Sequence, residues 1–168
     1  MQPIDSRLSE EVWGRVLAGQ NDAAQDAPAQ SAAKAEDAAQ QRISKTLELV
    51  QDEKNDAATY RYLSCRTSGA EARVLSAIAA DETRHAKELG AMYFLLTGKC
   101  ESAQAARPDC VSCMADALRA RFAGELAGAE EYAAAAEACK PMAAEFRCLA
   151  ADETRHSRML LSLLEKRL

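Results

Sequence analysis

The sequence is poor in the residues that build β-sheets and irregular folds. Aromatic residues make up 5% of the 168 positions, and there are only 7 glycines and 4 prolines. Strands favour aromatic and β-branched side chains, and tight turns need glycine or proline. The hydrophobic fraction, 48%, includes much alanine, which is the best helix former. This composition predicts an all-α protein built mainly as one domain.

The sequence also lacks the marks of a membrane or nucleic-acid partner. The net charge is −5, so no basic surface for nucleic acid or anionic lipid is expected. No apolar run approaches the length that spans a bilayer, and the residues after Met1 lack a basic region followed by an apolar one. We therefore expect a cytoplasmic protein whose six cysteines are mostly reduced thiols.

Histidine is scarcer still, and both histidines lie in a repeat. Residues 79–85 and residues 150–156 have the same sequence, Ala-Ala-Asp-Glu-Thr-Arg-His. In each copy a glutamate lies three residues before the histidine, which places both side chains on one face of a helix. A helical Glu-x-x-His pair is a known arrangement of metal ligands. The two pairs are Glu82 with His85 and Glu153 with His156.

The repeat extends towards the N-terminus. Glu53 precedes Tyr60 by seven residues, and Glu125 precedes Tyr132 by seven residues. Most of the chain after residue 42 is thus two copies of one unit, a Glu…Tyr helix followed by an Asp-Glu-x-x-His helix.

Apolar residues recur at three- and four-residue steps in four long segments, each typical of a helix with one buried face. The repeated glutamates and histidines fall within these stripes. The stripes are Ile43, Leu47, Val50, Glu53, Ala57 and Tyr60; Leu75, Ile78, Glu82, His85, Leu89, Met92 and Leu96; Met114, Leu118, Phe122, Glu125, Ala129, Tyr132 and Ala136; and Met142, Phe146, Leu149, Glu153, His156, Leu160 and Leu163.

The connections predict a four-helix bundle. Residues 67–69 form a short turn with Gly69 as the expected helix stop, and residues 139–141 form another, with Pro141 opening the last helix. The segment of about residues 98–113 is long enough to cross the bundle. Two helical hairpins joined by one crossover is the ferritin-like connectivity.

Residues 1–30 are interpreted as an N-terminal extension, with a short helix at 6–18 and a linker at 19–30. It is either a loosely docked extension or an arm that carries Trp13 to a dimer or partner contact. The bundle is predicted to occupy residues 31–168, with Ser31 as an N-cap.

Four glutamates that converge in a core are strongly unfavourable unless they are neutralised. No lysine or arginine lies on the stripes at that depth, so we predict two bound divalent cations, iron or manganese. A single Glu-x-x-His arises by chance, but two copies at matched distances from two further glutamates argue against chance. Glu82 and Glu153 are the expected bridging carboxylates, and Glu53 and Glu125 the terminal ones.

Two further pairs are candidates for supporting roles. Asp81 and Asp152 each precede a glutamate of the repeat and could accept the free N–H of the histidine on the opposite helix. Tyr60 and Tyr132 either hydrogen-bond carboxylates or line the cavity, with possible catalytic roles, or they are ordinary core residues.

The twofold Asp-Glu-x-Arg-His motif, with a glutamate on each preceding helix, resembles the di-iron proteins of the ferritin-like superfamily, most of all the rubrerythrins. The resemblance covers about residues 43–168. It implies two iron ions per chain held by the four glutamates and two histidines, and activities such as peroxide reduction, Fe(II) oxidation or iron storage. Rubrerythrins carry a further glutamate where this chain has Gly128, so the site is closer to the symmetric bacterioferritin arrangement.

Rubrerythrins also usually carry a rubredoxin domain with two Cys-x-x-Cys pairs, whereas this chain has one, Cys110 to Cys113. With Cys100, these thiols either bind zinc with a partner, form a redox dithiol, or have no partner. Cys65, Cys139 and Cys148 are interpreted as small packing residues.

Three functions remain open. The first is an oxidoreductase that reduces peroxide or oxygen, fed by an unidentified electron donor and expected to be a homodimer. The second is an iron-oxidising storage or delivery protein, and the third is a helical interaction module with a structural metal.

Overall fold

The structure, a computed structural model, describes residues 28–167, with side chains from residue 34 onwards. The helix predicted at 6–18 and Trp13 lie outside the described residues. The chain divides into two units, Met1–Gln40 and Gln41–Leu168. In the first unit, the described side chains of residues 34–40 are mostly exposed. All the predicted site residues belong to the second.

Four long helices make up most of the described residues, and no strand occurs among residues 28–167. The prediction of an all-α protein is confirmed. No helix in this range is long and apolar enough to cross a bilayer. The helices are α1 (Pro28–Ser64), α2 (Gly69–Thr97), α3 (Met114–Ala138) and α4 (Ala143–Glu165), with a short 3-10 turn at Lys140–Met142.

Three helix boundaries differ from the sequence prediction. α1 begins at Pro28, three residues before Ser31, because proline is well suited to the first turn of a helix. Gly69 does not end α1 but opens α2, with a φ of 60°. The glycine that does end a helix is Gly98, whose φ of 68° lets its N–H bond the carbonyl of Phe94 at 2.7 Å. Pro141 lies in the 3-10 turn rather than at the start of α4.

The core forms two apolar layers, and each layer takes side chains from all four helices. Nearly every predicted stripe residue is buried or half-buried, but Leu96 is 38% exposed because it lies at the end of α2, beyond the last layer. The Leu89 layer consists of Leu49, Val50, Leu89, Met92, Tyr132, Ala136, Ala143, Phe146 and Leu149. The Ile78 layer consists of Tyr60, Leu63, Leu75, Ile78, Ala79, Leu118, Leu160 and Leu163.

The layers also fix the helix directions. In the Leu89 layer, Leu49 lies before the middle of its stripe on α1, whereas Leu89 lies late on α2, so these helices are antiparallel. The late parts of α2 and α3 share this layer, so α2 and α3 run in the same direction. The connection between them must therefore travel the length of the bundle.

The connecting segment, residues 98–113, follows α1 as this geometry requires. Lys54 Nζ lies 2.6 Å from Glu101 Oε1, and further along α1 the Tyr62 hydroxyl accepts a bond of 3.4 Å from the Val111 N–H. Asn55 Oδ1 accepts a bond of 2.8 Å from the Ala106 N–H between these points. The predicted pair of hairpins with one long crossover matches this course.

Candidate metal centre

The six residues predicted as metal ligands lie together between the two apolar layers. Each helix contributes the polar members of its stripe, so residues far apart in sequence converge on one level of the bundle. All six are buried, with at most 6% of each residue's surface exposed. They are Glu53 on α1, Glu82 and His85 on α2, Glu125 on α3, and Glu153 and His156 on α4.

The first group of ligand atoms surrounds His85. Its Nδ1 lies 2.9 Å from Glu82 Oε2, 3.3 Å from Glu53 Oε2 and 3.3 Å from Glu153 Oε1. These four residues each offer one atom, and the atoms lie within 4.8 Å of one another. The group therefore combines three carboxylates with one imidazole, a donor set that suits iron or manganese.

The second group surrounds His156. Its Nδ1 lies 2.9 Å from Glu82 Oε1 and 3.2 Å from Glu125 Oε2, and Glu153 completes the group. The two imidazole rings are 5.8 Å apart between centroids. The second group thus lies beside the first and has the same composition.

Glu82 and Glu153 belong to both groups, whereas Glu53 and Glu125 each belong to one. Glu82 faces each histidine with a different oxygen. The geometry therefore agrees with the assignment of Glu82 and Glu153 as bridging carboxylates and of Glu53 and Glu125 as terminal ones. Their role as ligands stays a prediction.

Several polar atoms of this cluster have no hydrogen bond although they are buried. They are both carboxylate oxygens of Glu82, Nδ1 of His85 and Oε1 of Glu153. His85 Nδ1 lies within ion-pair distance of Glu82, but the direction of approach does not suit a hydrogen bond. An unsatisfied buried polar atom costs about 1–3 kcal/mol, and more if it is charged. A cation coordinated by these atoms would remove that cost, so the residues fit a metal.

Without a metal, protons neutralise the cluster. Burial raises the pKa of Glu153 to about 9 and that of Glu53 to about 7. Burial also opposes charge on His85, but contacts with Glu153, Glu53 and Glu82 outweigh it and raise the histidine pKa to about 12. His156 is raised to about 10, chiefly because Glu125 and Glu82 outweigh its burial.

The pKa of Glu82 shifts in the opposite direction from those of Glu53 and Glu153. Its burial favours protonation, but contacts with His156 and His85 outweigh this and lower its pKa to about 2. The difference follows from position, since Glu82 touches both histidines while Glu53 touches only His85.

The other ring nitrogen of each histidine faces an aspartate on the opposite hairpin. His85 Nε2 lies 3.2 Å from Asp152 Oδ2, and His156 Nε2 lies 3.2 Å from Asp81 Oδ2. Such a contact fixes the ring and leaves Nδ1 free for the cluster. The aspartates are where the repeat predicted them.

Two arginines hold these aspartates, and the sequence analysis did not single them out. Arg84 donates a bond of 2.6 Å to Asp152, and Arg155 donates one of 3.0 Å to Asp81. Partial burial favours protonation of Asp152, but contacts with Arg155, Arg84 and His85 outweigh it and bring its pKa well below the usual value. The signal was present in the sequence, since both arginines occupy the same place in the two copies of the motif.

The two tyrosines bond the terminal glutamates across the bundle. Tyr60 on α1 donates its hydroxyl proton to Glu125 on α3, and Tyr132 on α3 donates to Glu53 on α1. Burial, then the nearby carboxylates, raise both tyrosine pKa values well above the usual range, so the hydroxyls stay protonated. The predicted carboxylate bond is observed, and both tyrosines also pack in the apolar layers as the other alternative expected; a part in catalysis stays a prediction.

The residues around the cluster follow the internal repeat less closely than the six clustered residues do. Arg121 on α3 pairs with Asp56 on α1, one turn from Glu53. Burial raises the pKa of Asp56 to about 6 although Arg121 opposes this. The matching positions of the repeat carry Leu49 and Gly128, so the repeat gave no sign of this ion pair.

Gly128 lies against one of the shared carboxylates. A Cβ at this position would meet Glu153 Oε2 at 3.2 Å and Cγ at 3.5 Å. The absence of a side chain thus leaves Glu153 the space that it occupies.

The cysteines contribute to neither ligand group. Cys100, Cys110 and Cys113 are exposed free thiols. Cys139 is half-buried against the Leu89 layer, as predicted. The prediction that Cys65 and Cys148 are packing residues is wrong, because both are exposed. Cys148 lies between Phe146 and Leu149 but outside the three- and four-residue steps of the α4 stripe, so it points away from the core.

No protein-family model, no curated protein and no solved structure matches this chain.

Proposed function

We propose that this chain is a di-iron carboxylate protein with a ferritin-like bundle, an oxidoreductase that reduces hydrogen peroxide or oxygen. The observation that carries the proposal is the pair of ligand groups that share Glu82 and Glu153 while each keeps its own histidine and terminal glutamate. A single structural metal needs one closed set of ligands. Two joined sets of equal composition favour two ions.

The donor set supports iron or manganese over zinc or calcium, because it joins four carboxylates to two imidazoles. Glu53, Glu82, His85 and Glu153 would hold one ion, and Glu125, His156 and the two shared glutamates would hold the other. Iron bound here would supply electron-transfer and oxygen chemistry that no side chain can provide.

The chain's own residues would keep the ligands in position. Asp152 and Asp81 accept the Nε2–H of the histidines, which directs each Nδ1 into the cluster. Tyr60 and Tyr132 each occupy one oxygen of a terminal carboxylate and leave the other oxygen facing a histidine. The apolar layers above and below exclude water, so the charges interact more strongly than in solvent.

The resemblance of the repeated motif to the rubrerythrins supports the same class of activity. Gly128 in place of a further glutamate brings the site nearer to the bacterioferritin arrangement, which favours a second candidate, an iron-oxidising storage or delivery protein. Both candidates need Fe(II), and the first also needs an electron donor.

Metal analysis of protein purified without oxygen tests the proposal directly. We expect about two iron or manganese ions per chain, as the two ligand groups require. Glu130→Ala, a change of an exposed glutamate on α3, is the control and should keep the full metal content. A chain that takes up no more than one ion, or only zinc, would contradict the proposal.

The reaction separates the two candidates. Anaerobic Fe(II)-loaded protein mixed with peroxide should consume about one peroxide per two irons, since peroxide takes two electrons. If the protein is a homodimer and consumes peroxide repeatedly when a reductant is added, the result supports the oxidoreductase. A large shell, or iron retained far beyond two per chain, is the storage protein, and inert metal whose removal unfolds the chain indicates the structural role.

A further inference from the structure

A surface cavity lies on the outer side of α1 and α2, beneath the start of the crossover. Its volume is about 500 Å³, within the range of small-molecule sites. None of the six clustered glutamates and histidines lines it. The cavity is therefore distinct from the candidate metal centre.

The charge around this cavity is positive although the whole chain carries −5. Lys54, Arg61 and Lys87 line it, and Glu101 is the one acidic residue of the lining. Lys54 is already paired with Glu101 at 2.6 Å and donates a bond of 2.8 Å to the carbonyl of Ala103. Arg61 and Lys87 are the two other cationic side chains of the lining.

Arg61 and Lys87 make no ion pair with any described carboxylate. Arg61 is held by a bond of 2.6 Å from Nη2 to the Thr83 hydroxyl, which leaves its other guanidinium N–H groups available. A guanidinium and an ammonium on neighbouring helices, at the mouth of one cavity, are the groups that bind carboxylates, sulfonates and phosphates.

The rest of the lining is apolar. Ala57 and Ala86 form the floor and are 2% and 5% exposed, while Phe94 stands at the rim with 49% of its surface exposed. Gly90 lines the cavity without a side chain, and a Cβ there would make an ordinary contact of 3.5 Å with Glu101 Cγ, so only a larger side chain would take up cavity volume. An aromatic ring at the rim and small residues at the floor suit a flat apolar body.

We propose that this cavity binds a small organic anion with a flat apolar body, whose acidic group pairs with Arg61 and Lys87 while its body lies over Ala57 and Ala86 beside Phe94. The proposal does not depend on a bound metal, so it can be tested with metal-free and metal-loaded protein alike.

A pair of fluorescent dyes that differ in charge tests the proposal. Anilinonaphthalene sulfonate and uncharged phenylnaphthylamine have the same aromatic frame, and the sulfonate should bind about tenfold more tightly or better, since charge-assisted bonds contribute more than neutral ones. Arg61→Gln with Lys87→Gln should weaken sulfonate binding about tenfold and leave the uncharged dye unchanged. Equal affinity for the two dyes would overturn the proposal.

A matched control removes two other exposed cations that make no ion pair with a described carboxylate, Arg73 and Arg158. Arg158 occupies the position of the repeat that corresponds to Lys87, 71 residues later. Arg73→Gln with Arg158→Gln lowers the net charge equally, so it should leave both affinities unchanged. A loss of sulfonate binding equal to that of the Arg61 and Lys87 variant would mean that only net charge matters, which would overturn the site.

Cys100 reports the location, because this exposed thiol lines the cavity. Bound anilinonaphthalene sulfonate should slow the alkylation of Cys100 by iodoacetamide and leave that of exposed Cys65 unchanged, as measured by peptide mass spectrometry. Gly90→Leu, checked for helix content by circular dichroism, should fill the cavity and abolish the protection. Unchanged Cys100 alkylation in the presence of saturating dye would contradict the proposed position.

Discussion

Tyr60 on α1 donates a hydrogen bond to Oε1 of Glu125 on α3, a carboxylate whose other oxygen lies 3.2 Å from His156 Nδ1. The tyrosine thus holds one end of a side chain whose other end belongs to the candidate metal centre. Tyr132 makes the reciprocal bond to Glu53, so both terminal carboxylates are held from the opposite helix.

Tyr60→Phe should lower the stability of the metal-free protein, because it leaves a buried carboxylate oxygen without its donor. The expected loss is about 1–3 kcal/mol in the free energy of unfolding, measured by urea denaturation. Tyr93→Phe is the control, since the Tyr93 hydroxyl makes no hydrogen bond to another described residue. Equal stability of the two variants would show that the Tyr60 bond contributes nothing.

Substitution of a shared glutamate should affect both metal positions, whereas substitution of a terminal one should affect only one. Glu82→Ala should therefore reduce metal content at both positions, and Glu53→Ala should spare the position of Glu125 and His156. Metal stoichiometry and anomalous diffraction at the iron edge distinguish these outcomes. If Glu53→Ala emptied both positions, the assignment of terminal and shared roles would be wrong.

Asp152→Asn should weaken mainly the ion beside His85, because the aspartate accepts that histidine's Nε2–H. Loss of such an outer partner usually costs about 10–100-fold in metal affinity. Asp81→Asn should act in the same way on the His156 position. Asp116→Asn, which removes an exposed aspartate paired with Arg119, should leave both affinities unchanged in a competition titration with a chelator.

Gly128→Ala should separate stability from metal binding. Alanine stabilises a helix by about 0.5–1 kcal/mol over glycine, but its Cβ would lie 3.2 Å from Glu153 Oε2 and displace that shared carboxylate. We expect weaker metal binding without a loss of helix content.

The control for this change is Gly124→Ala on the same helix. A Cβ at Gly124 would meet only the tip of Arg121, at 3.7 Å, so metal affinity should not change. If both alanine variants bound metal equally well, the contact between Gly128 and Glu153 would have no consequence for the site.

The metal-free protein should be most stable in mildly acidic solution. Four groups of the cluster have raised pKa values: about 7 for Glu53, 9 for Glu153, 12 for His85 and 10 for His156, against ordinary values of 4.5 for glutamate and 6.5 for histidine. Their contributions to the free energy of unfolding are therefore present at low pH and are lost as the pH rises through the raised values. The pKa of Glu82 is lowered to about 2, so its contribution to stability has the opposite pH dependence and is lost as the pH falls below 4.5.

Urea denaturation between pH 3 and pH 9 measures this balance. Stability should rise to about pH 5 and decline towards pH 9. The metal-loaded protein should gain most over the metal-free one near neutral pH, and the gap should narrow towards acid as protons compete with metal. A steady increase in metal-free stability from pH 6 to pH 9 would contradict the proton distribution described for the cluster.

The repeat made most of the site predictable. Glu82 and Glu153 stand at the same place in two identical seven-residue copies, and helical spacing alone puts each beside its histidine. The six residues also fall on apolar stripes, and a residue on such a stripe is buried wherever the bundle has a neighbour to cover it. Leu96 is exposed because the stripe continues past the end of the bundle core.

What could not be predicted lies where the repeat is broken or where backbone conformation decides. Asp56 and Arg121 have no counterparts in the other half, so nothing in the pattern joins them. Gly69 opens a helix rather than ending one, and the residue type alone does not distinguish the two uses of a positive φ. The cavity beneath the crossover depends on the path of residues 98–113, which has no periodic pattern.

The shared glutamates have a consequence for how the two hairpins depend on each other. Each hairpin supplies three residues to its own ligand group and one to the other, so neither hairpin holds a complete group when separate. The four carboxylates therefore meet only when the hairpins dock, so the protonation that neutralises the metal-free cluster depends on that step. Ions bound between the hairpins would contact ligands from both of them. Such ions should slow the separation of the hairpins more than they speed the assembly of the hairpins.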